Sequence, residues 1–389
     1  MLISNQKNVK HLKVAVIHAF FVPKGGGEKL VFDIRNYYHA DLFTGAIDHN
    51  IWSKSKIESD SFVKELYNPN TDFVWLHEDI KVPFLKKIIR QLQFRFNPKI
   101  KLLNNYDVVI FSGNIAGVAG RITNPNTKKI MYCHTPPRPF TDQFENNLKK
   151  IPKLFKPIVR LFRNWVIYEY REELKKTDVI VANSYNIQKR LKNYIGVDSL
   201  VIHPAVNTER FVFLGQEDYY LSYARLEDMK RIPLVIKAFQ QLPDKKLVVC
   251  SSGPLKDWLI SEISQYPNIT YEGLVTDERL SDLVGRCIAG VYIPVEEDFG
   301  IIQGELMSAG KPVIGVAEGG LLETVVEGKT GVLIKSNPEV EDLIEAINDM
   351  TKEKSLSMKE DCIIQAQNFR HEVFFTKFDD LISDLFDSR

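Results

Sequence analysis

Short apolar runs alternate with longer segments of helical periodicity along the chain, and after residue 215 the same alternation starts again. Apolar runs of strand length that are joined by helical segments predict parallel βα units. Strands that are apolar on both faces lie inside a sheet that helices cover on both sides. The pattern therefore predicts an α/β protein with two doubly wound, Rossmann-like parallel sheets, one in each half of the chain.

The predicted strands form two series, which a proline and a polar turn at 204–215 separate. The predicted strands of the first series are residues 13–18, 108–112, 130–134, 179–183 and 200–203. Those of the second series are residues 219–223, 247–251, 269–271, 290–293, 312–316 and 332–334. This division predicts one domain at 1–208, a second at 209–370 and a closing helix within 371–389, whose return to the first domain stays open.

The charge balance and the cysteines exclude several classes of protein. With 51 Lys and Arg against 50 Asp and Glu, the formal net charge is +1, which argues against a nucleic-acid partner. The four cysteines are scattered without metal-ligand spacing, which predicts buried, reduced thiols. The N-terminal segment is typical of a first strand rather than a signal peptide, and no run approaches the length of a membrane span. We therefore expect a cytoplasmic protein.

The most informative motif is a pair of acids, Glu297 and Glu305, in the segment EDFGIIQGE that LMSAGKPVIG follows. A glycine such as Gly300 at a strand-to-helix turn lets backbone N–H groups approach a ligand, and a helix N-terminus favours an anion. Glu305, about one and a half turns into the predicted helix, can reach a diol bound near the helix start. Glu297 in the preceding loop would face the reacting end of that ligand. The spacing alone also fits two solvated glutamates beside an ordinary turn.

A second motif places two cations after the first strand of the second domain. Arg225 and Lys230 lie in SYARLEDMKRIPLVIKAF, where the arginine can grip two phosphate oxygens and the lysine supplies a point charge. Fixed cations can neutralise the charge that develops on a diphosphate leaving group. Because the chain contains no Asp-x-Asp triplet, we predict metal-independent catalysis and no cofactor. A solvated basic turn is the alternative interpretation.

The first domain contributes weaker signals. Gly25, Gly26 and Gly27 follow the first strand and could cradle an anion or a sugar, although a glycine-rich loop is often only a loop. His134 opens the proline-rich loop HTPPRP at the carboxyl end of a buried strand, a position that favours a binding or catalytic role over a structural one. Arg138 in that loop could bind an anionic acceptor or a phosphate.

Together these motifs resemble the retaining glycosyltransferases of family 4, and the resemblance covers nearly the whole chain. It implies the GT-B fold, in which two Rossmann-like domains face each other across a cleft and the C-terminal domain binds a nucleotide sugar. On this resemblance Glu297 lies near the donor's anomeric centre and Glu305 binds the ribose hydroxyls. The backbone amides of the turn meet the sugar and the phosphates; the turn residues are Phe299, Gly300 and Ile301.

The resemblance extends to the other motifs. His134 matches the histidine that faces the donor sugar, and Gly26 and Gly27 match a first loop that contacts donor phosphates or acceptor. Arg225 and Lys230 resemble the phosphate clamp, although Ala224 and Arg231 replace its usual glycines. The sequence Gly319-Gly320-Leu321-Leu322-Glu323 resembles a glycine turn near the donor, and Asn183-Ser184 resembles a helix-capping pair.

The resemblance implies retaining transfer of a hexose from a nucleotide diphosphate sugar to a glycan or lipid-linked acceptor. The HTPPR form is most similar to mannosyltransferases of bacterial polysaccharide and lipopolysaccharide assembly, so GDP-mannose is the preferred donor and a UDP-sugar the alternative. Two other classes stay open: a sugar-nucleotide epimerase or phosphorylase of the same fold, and a non-catalytic subunit. The intact acids and cations argue against a decayed site.

Two basic segments of the first domain suggest a membrane contact. Residues 81–101 contain seven basic residues and no acidic one, interleaved with apolar residues, and residues 149–163 repeat this pattern. Such segments can lie on anionic lipid, at about 1 kcal/mol per cation. The alternative is a solvated helix whose apolar face packs into the domain. We hypothesise peripheral attachment of this domain, at the inner face of the cytoplasmic membrane.

Overall fold

The computed structural model describes residues 9–21, 25–48, 52, 61–67, 73–75, 95–113 and 117–387. The chain divides into two compact units, residues 1–202 with 376–389 and residues 203–375. The division lies slightly before the predicted seam at 208, because the residues on either side of it pack into the second unit. Val206 and Phe211 are fully buried in its core, and the Val206 amide donates to the Phe369 carbonyl at 2.7 Å.

The first unit is built on a parallel sheet of seven strands in the order β3-β2-β1-β4-β5-β6-β7. These strands are β1 Val14–Phe21, β2 Asp41–Ile47, β3 Phe73–Trp75, β4 Val108–Ser112, β5 Lys128–Cys133, β6 Val179–Ala182 and β7 Leu200–Val201. The five predicted strands of this half are confirmed, but β2 and β3 were missed. Strand β2 (DLFTGAI) contains an aspartate, a threonine and a glycine, which interrupt its apolar pattern, and β3 has only three residues.

The second unit contains a parallel sheet of six strands in the order β10-β9-β8-β11-β12-β13. These strands are β8 Tyr220–Ser222, β9 Leu247–Cys250, β10 Ile269–Gly273, β11 Gly290–Tyr292, β12 Val313–Val316 and β13 Gly331–Ile334. All six strands match the predicted ones to within two residues at each end. In both sheets the strand order turns back beside the first strand of the series, which confirms two doubly wound α/β units.

Helices connect the strands in both units. Those described in the first unit are α1 Gly26–Tyr38, α2 Ser61–Leu66, α3 Phe144–Lys149, α4 Lys156–Leu174 and α5 Tyr185–Arg190. Those that begin in the second unit are α6 Ile232–Gln240, α7 Lys256–Ile263, α8 Asp277–Arg286, α9 Ile302–Ser308, α10 Leu321–Thr324, α11 Val340–Asp349, α12 Lys352–Ser357, α13 Lys359–Ala366 and α14 His371–Asp387. Among the described helices, none is long and apolar enough to cross a membrane.

The last helix, α14, matches the predicted closing helix, and its residues from Thr376 onward belong to the first unit. The phenol groups of Tyr37 and Tyr38 each donate to the carboxylate of Asp379 at 2.7 Å. Phe378 on the same helix is fully buried and packs near the ring of Tyr132, with the ring centres 6.2 Å apart. These contacts fasten the C-terminal residues to the first sheet.

The cysteines are buried, as the sequence predicts. Burial raises the pKa of the Cys250, Cys287 and Cys362 thiols to about 12, so these groups are protonated at neutral pH. Within the described residues, no group of three or more histidine, cysteine, aspartate or glutamate side chains could hold a metal ion.

Candidate functional site

The four charged residues singled out in the second half lie at one edge of the second sheet. Arg225 follows β8, and Lys230 ends a short 3-10 turn in the same loop. Glu297 follows β11, the neighbour of β8 in the sheet, and Glu305 lies in the first turn of α9. Because the strands are parallel, the loops that leave their carboxyl ends meet at the edge where ligands bind in α/β sheets.

Lys230 and Glu297 are in direct contact. The Lys230 ammonium donates to the Glu297 carboxylate at 2.5 Å and to the Tyr292 hydroxyl at 3.2 Å. Both charged side chains are about four-fifths buried. Burial and the neighbouring Glu297 charge raise the pKa of the Tyr292 phenol well above its usual range, so Tyr292 is neutral beside the ion pair. The pair is therefore a fixed, partly desolvated element of the site.

Glu305 is held by the tyrosine that follows β8. The Tyr223 hydroxyl lies 3.1 Å from both Glu305 Oε2 and the carbonyl oxygen of Ile302. Helix α9 begins only at Ile302, so Glu305 is in its first turn and not one and a half turns along, as the sequence suggested. Glu305 is therefore closer to the N-terminus of the helix than expected. Backbone N–H groups at a helix N-terminus favour an anionic ligand.

Arg225 lies on the same sheet edge with its side chain 58% exposed. Its Nε is 3.7 Å from Glu227, which is a loose ion pair. An exposed and loosely paired guanidinium can reorient to donate two N–H groups to two oxygens of an anion, and little free energy is lost when its present contact breaks. The geometry therefore suits Arg225 to a binding role better than to a structural one.

The backbone turn between Glu297 and Glu305 is tightly packed. Gly300 has a φ of +83°, and a Cβ there would lie 2.5 Å from the side chain of Gln303. Phe299 is buried, and its ring stacks on His203 with the ring centres 5.3 Å apart. The amides of Gly300 and of Ile301 therefore belong to a turn that the core holds from the Phe299 side.

The glycine turn after β12 packs directly on the loop that carries Glu297. A Cβ on Gly319 would lie 2.3 Å from the Glu297 carbonyl oxygen, and one on Gly320 would lie 2.5 Å from the Phe299 backbone. The Gly320 amide also donates to the Glu297 carbonyl at 2.8 Å. These residues position the acid loop, and no side chain larger than hydrogen fits there without displacement.

Sequence reasoning missed the ion pair that braces this loop. Arg231 takes a left-handed conformation, with φ +50°, at a position where the family resemblance leads one to expect glycine. Its guanidinium donates to the carbonyls of Ile293 and Pro294 at 3.0 and 2.9 Å, and to the Glu318 carboxylate at 2.8 Å. Glu318 also accepts from the Glu296 amide, at 3.2 Å. Nothing in the sequence links the two residues, which are 87 positions apart.

Glu318 is held in its ionised form. Burial by itself would raise the pKa of this carboxyl. The Asn337 amide and the Arg231 guanidinium outweigh burial and hold the pKa of Glu318 below its usual range. The brace is therefore charged at neutral pH and fixes the backbone immediately before Glu297.

In the first unit, His134 lies beside the glycine loop. A Cβ on Gly27 would be 3.7 Å from the His134 ring, and Gly26 begins helix α1 next to it. His134 Nε2 is 2.7 Å from the hydroxyl oxygen of Ser112 at the end of β4. Burial, followed by the neighbouring His18, lowers the pKa of His134 to about 4. His134 is thus a neutral imidazole at physiological pH.

The structure also shows the contacts of Arg138 and Ser184, two further residues singled out in the sequence of this unit. Arg138 directs its Nε and Nη2 atoms to one carboxylate oxygen of Asp142, at 2.9 and 2.8 Å, and so closes its own loop. The Ser184 hydroxyl accepts from the Ile187 amide at 3.1 Å, which confirms it as the N-cap of helix α5. Arg138 is thus engaged within the protein, in contrast to Arg225.

The basic segments of the first unit are partly described. Residues 81–94 lie outside the described residues, so the interpretation of that segment stays a prediction. Helix α4 buries its C-terminal half through Ile167, Tyr170 and Leu174. Its N-terminal half and the turn before it expose apolar side chains to solvent. The exposed residues are Leu154, Phe155, Ile158, Leu161, Phe162, Trp165 and Tyr168.

The two doubly wound parallel sheets are those of the GT-B fold, and comparison with protein families assigns the chain to the glycosyltransferases. A family model described as Glycosyl transferases group 1 matches residues 205–369, and one described as Glycosyltransferase Family 4 matches residues 54–210. The chain belongs to the family 4 glycosyltransferases, and the resemblance seen in the sequence is confirmed.

Curated relatives are similar over most of the chain. Alpha-1,3/1,6-mannosyltransferase ALG2 of Dictyostelium discoideum is 25% identical over 91% of this chain and 93% of its own length. The enzyme of the same name from Kluyveromyces lactis is 28% identical over 82% of this chain and 72% of its own length.

Solved structures show the same fold at lower sequence identity. Sucrose-phosphate synthase from Thermosynechococcus elongatus superposes with a TM-score of 0.74 and 18% identity, covering 97% of this chain and all of that one. Anabaena HepE, in complex with UDP and glucose, gives a TM-score of 0.71 and 16% identity, with the same coverage of both chains. At such identities the likeness concerns the fold.

Proposed function

We propose that this glycosyltransferase transfers mannose from GDP-mannose, with retention of the anomeric configuration, to a glycan or lipid-linked acceptor. The mannosyl assignment is supported by two relatives named as mannosyltransferases that match most of the chain. The observation that carries the site assignment is the contact between Lys230 and Glu297, with Arg225 and Glu305 on the same sheet edge.

The cations of the second unit bind the donor diphosphate in this proposal. Among the described contacts, the Lys230 ammonium uses two of its three donors, on Glu297 and Tyr292, and the third serves a phosphate oxygen. Arg225 supplies a two-pronged contact to the other phosphate. Lys230 is fixed before reaction and Arg225 lies on the same sheet edge, so the two cations stabilise the leaving diphosphate without a metal ion.

The acids have different roles. Glu305, in the first turn of α9, accepts from the ribose hydroxyls, and Glu297 holds the sugar through its hydroxyl groups. The acceptor oxygen forms a bond to the anomeric carbon as the bond to the diphosphate oxygen breaks, on the same face of the sugar. The acceptor's hydroxyl proton passes to the leaving phosphate, so Glu297 forms no covalent adduct. His134, as the resemblance implies, contacts the donor sugar.

Thermal-shift measurements test the donor assignment, because a ligand that binds only the folded protein raises its melting temperature. GDP-mannose should raise the melting temperature more than UDP-glucose does. In Arg225→Ala the Kd for GDP-mannose should rise about tenfold to hundredfold, since a charge-assisted contact contributes roughly 1.5–3 kcal/mol. The control Arg286→Ala, which changes an arginine in the last turn of α8, should keep the wild-type shift.

Two results would count against the proposal. A wild-type transfer rate in Arg225→Ala would show that Arg225 does not bind the donor phosphate. A larger rise in melting temperature with UDP-sugars than with GDP-mannose would show that the donor nucleotide is UDP. The anomeric configuration of the product, read by proton NMR, tests retention separately.

We further propose that the exposed apolar face of helix α4 binds anionic lipid, where a lipid-linked acceptor would be found. Residues 149–168 contain six basic residues and no acidic one. Leu154, Ile158, Leu161 and Trp165 follow helical spacing and are 57–80% exposed. Cations beside exposed apolar side chains match an anionic headgroup layer above acyl chains.

Flotation with vesicles tests this contact. The wild-type protein should float with vesicles that contain phosphatidylglycerol and less with vesicles of phosphatidylcholine alone. Leu161→Glu should weaken flotation at least tenfold, because a buried leucine contributes about 1.5–3 kcal/mol. The matched control is Leu274→Glu, at a residue 79% exposed in the second unit, which should float like wild type. Equal flotation of Leu161→Glu and wild type would refute the contact.

A further inference from the structure

Four polar side chains of the first unit form a continuous row that ends at His134. The His18 Nδ1 atom is 3.1 Å from the Ser112 hydroxyl oxygen, which is 2.7 Å from His134 Nε2. At the other end, His18 Nε2 is 3.6 Å from a carboxylate oxygen of Glu28 in the first turn of α1. His18, Ser112 and Glu28 are each less than 9% exposed.

The sheet brings these groups together. His18 on β1 is the register partner of Ser112 on β4, and Ser112 is the partner of Tyr132 on β5. His134 lies two residues beyond Tyr132 and so returns to the same face of the sheet. The row is therefore a consequence of strand order and register, and it lies at the carboxyl edge where loops reach ligands.

A serine hydroxyl has one proton, which limits the hydrogen bonds in this row. Ser112 can donate to only one of the two ring nitrogens that it contacts, and it must accept from the other. One arrangement puts a proton on His134 Nε2, and the alternative puts it on His134 Nδ1. The choice depends on which nitrogen of His18 carries its proton.

Glu28 decides between the two arrangements. In the neutral His18 ring, a carboxylate beside Nε2 stabilises the proton on that nitrogen and leaves Nδ1 as an acceptor. Ser112 then donates to His18 Nδ1 and accepts from the N–H of His134 Nε2. We infer that Glu28, His18 and Ser112 act as positioning residues that hold His134 as its Nε2–H tautomer, with Nδ1 as a hydrogen-bond acceptor for a sugar hydroxyl.

The neutral state of His134 is consistent with this assignment. With a pKa lowered to about 4, the ring carries one proton near neutral pH, so its two nitrogens have opposite roles. No other hydrogen-bond partner of the His134 ring occurs among the described residues. In the inferred arrangement, Nδ1 is the ring atom that accepts from a ligand. The sugar hydroxyl rests on the proposed function, whereas the tautomer does not.

Long-range ¹H–¹⁵N correlation spectra of the ¹⁵N-histidine protein test the tautomer without any substrate. The His134 signals are assigned by their loss in His134→Gln. We expect the Nε2–H pattern in wild type and in Ser112→Thr, which keeps the hydroxyl. In Ser112→Ala and in Glu28→Met, the Nδ1–H form should become populated. The kcat/KM of Ser112→Ala should fall about threefold to tenfold, the range for one neutral hydrogen bond.

Two outcomes would overturn the inference. One is an Nδ1–H pattern for His134 in the wild-type protein. The other is an unchanged tautomer in both Ser112→Ala and Glu28→Met, because Ser112 and Glu28 would then contribute to packing without setting the His134 tautomer. If the tautomer behaves as expected but GDP-mannose is not a donor, the proposed function fails and the positioning row stands.

Discussion

Lys311 belongs to the most specific motif of the chain, yet the structure gives it a purely structural environment. It is fully buried, and its ammonium donates to the Gly215 carbonyl at 2.6 Å. The ammonium also lies 4.3 Å from the centre of the Phe213 ring, near which Lys359 lies as well. Burial, aided by the charge of Lys359, lowers the pKa of Lys311 from 10.5 to about 8.

This pKa predicts an unusual dependence of stability on pH. A decrease from 10.5 to about 8 corresponds to a cost of about 3 kcal/mol for holding the charged lysine in the folded state. Between these two pH values the unfolded chain binds more protons than the folded one, so stability rises with pH. Below pH 8 the full cost is present, and above pH 10.5 it is gone.

The variant Lys311→Met removes this titration. Relative to the variant, the wild type should gain about 2 kcal/mol in free energy of unfolding between pH 7.5 and 9.5. Urea unfolding at pH 7.5, 8.5 and 9.5, followed by circular dichroism, measures the difference, in which other titrating groups cancel. The exposed Lys246 supplies the control, because Lys246→Met should run parallel to wild type. A constant difference between wild type and Lys311→Met would refute the reasoning.

Three further outcomes follow from the site. Glu318→Ala leaves Arg231, whose side chain is only 11% exposed, without its carboxylate, and should lower the free energy of unfolding by about 3–5 kcal/mol; a loss below 1 kcal/mol in urea titrations would contradict this. Gly319→Ala should raise the KM for the donor, because the added Cβ would displace the loop that carries Glu297. Gly328 also has a positive φ but open space around it, so Gly328→Ala should change stability only. Equal donor KM values in the two variants would show that the contact with the Glu297 loop does not affect donor binding. Addition of EDTA should leave the transfer rate unchanged, and a loss that Mg²⁺ or Mn²⁺ restores would show a metal requirement.

The sequence predicted the parts of the fold that depend on local patterns. Buried parallel strands need apolar residues on both faces, so eleven of the thirteen strands were visible as apolar runs. The acids and cations were correctly placed on one edge, because in parallel βα units each loop after a strand reaches that edge. Strand β2 escaped prediction because Thr44 and Gly45 break its apolar pattern, although Thr44 is fully buried.

The remaining features depend on register and on pairing between distant residues. His18 and Ser112 are 94 positions apart and meet only because β1 and β4 are neighbours in the sheet. Arg231 and Glu318 are likewise distant in sequence and meet only through the packing of the second unit. Lys311 is buried because Gly215 and Phe213 pack against it. A sequence specifies which side chains are present and the period at which they repeat. Their partners and their desolvation, and hence their protonation states, are decided only when the strands are packed side by side.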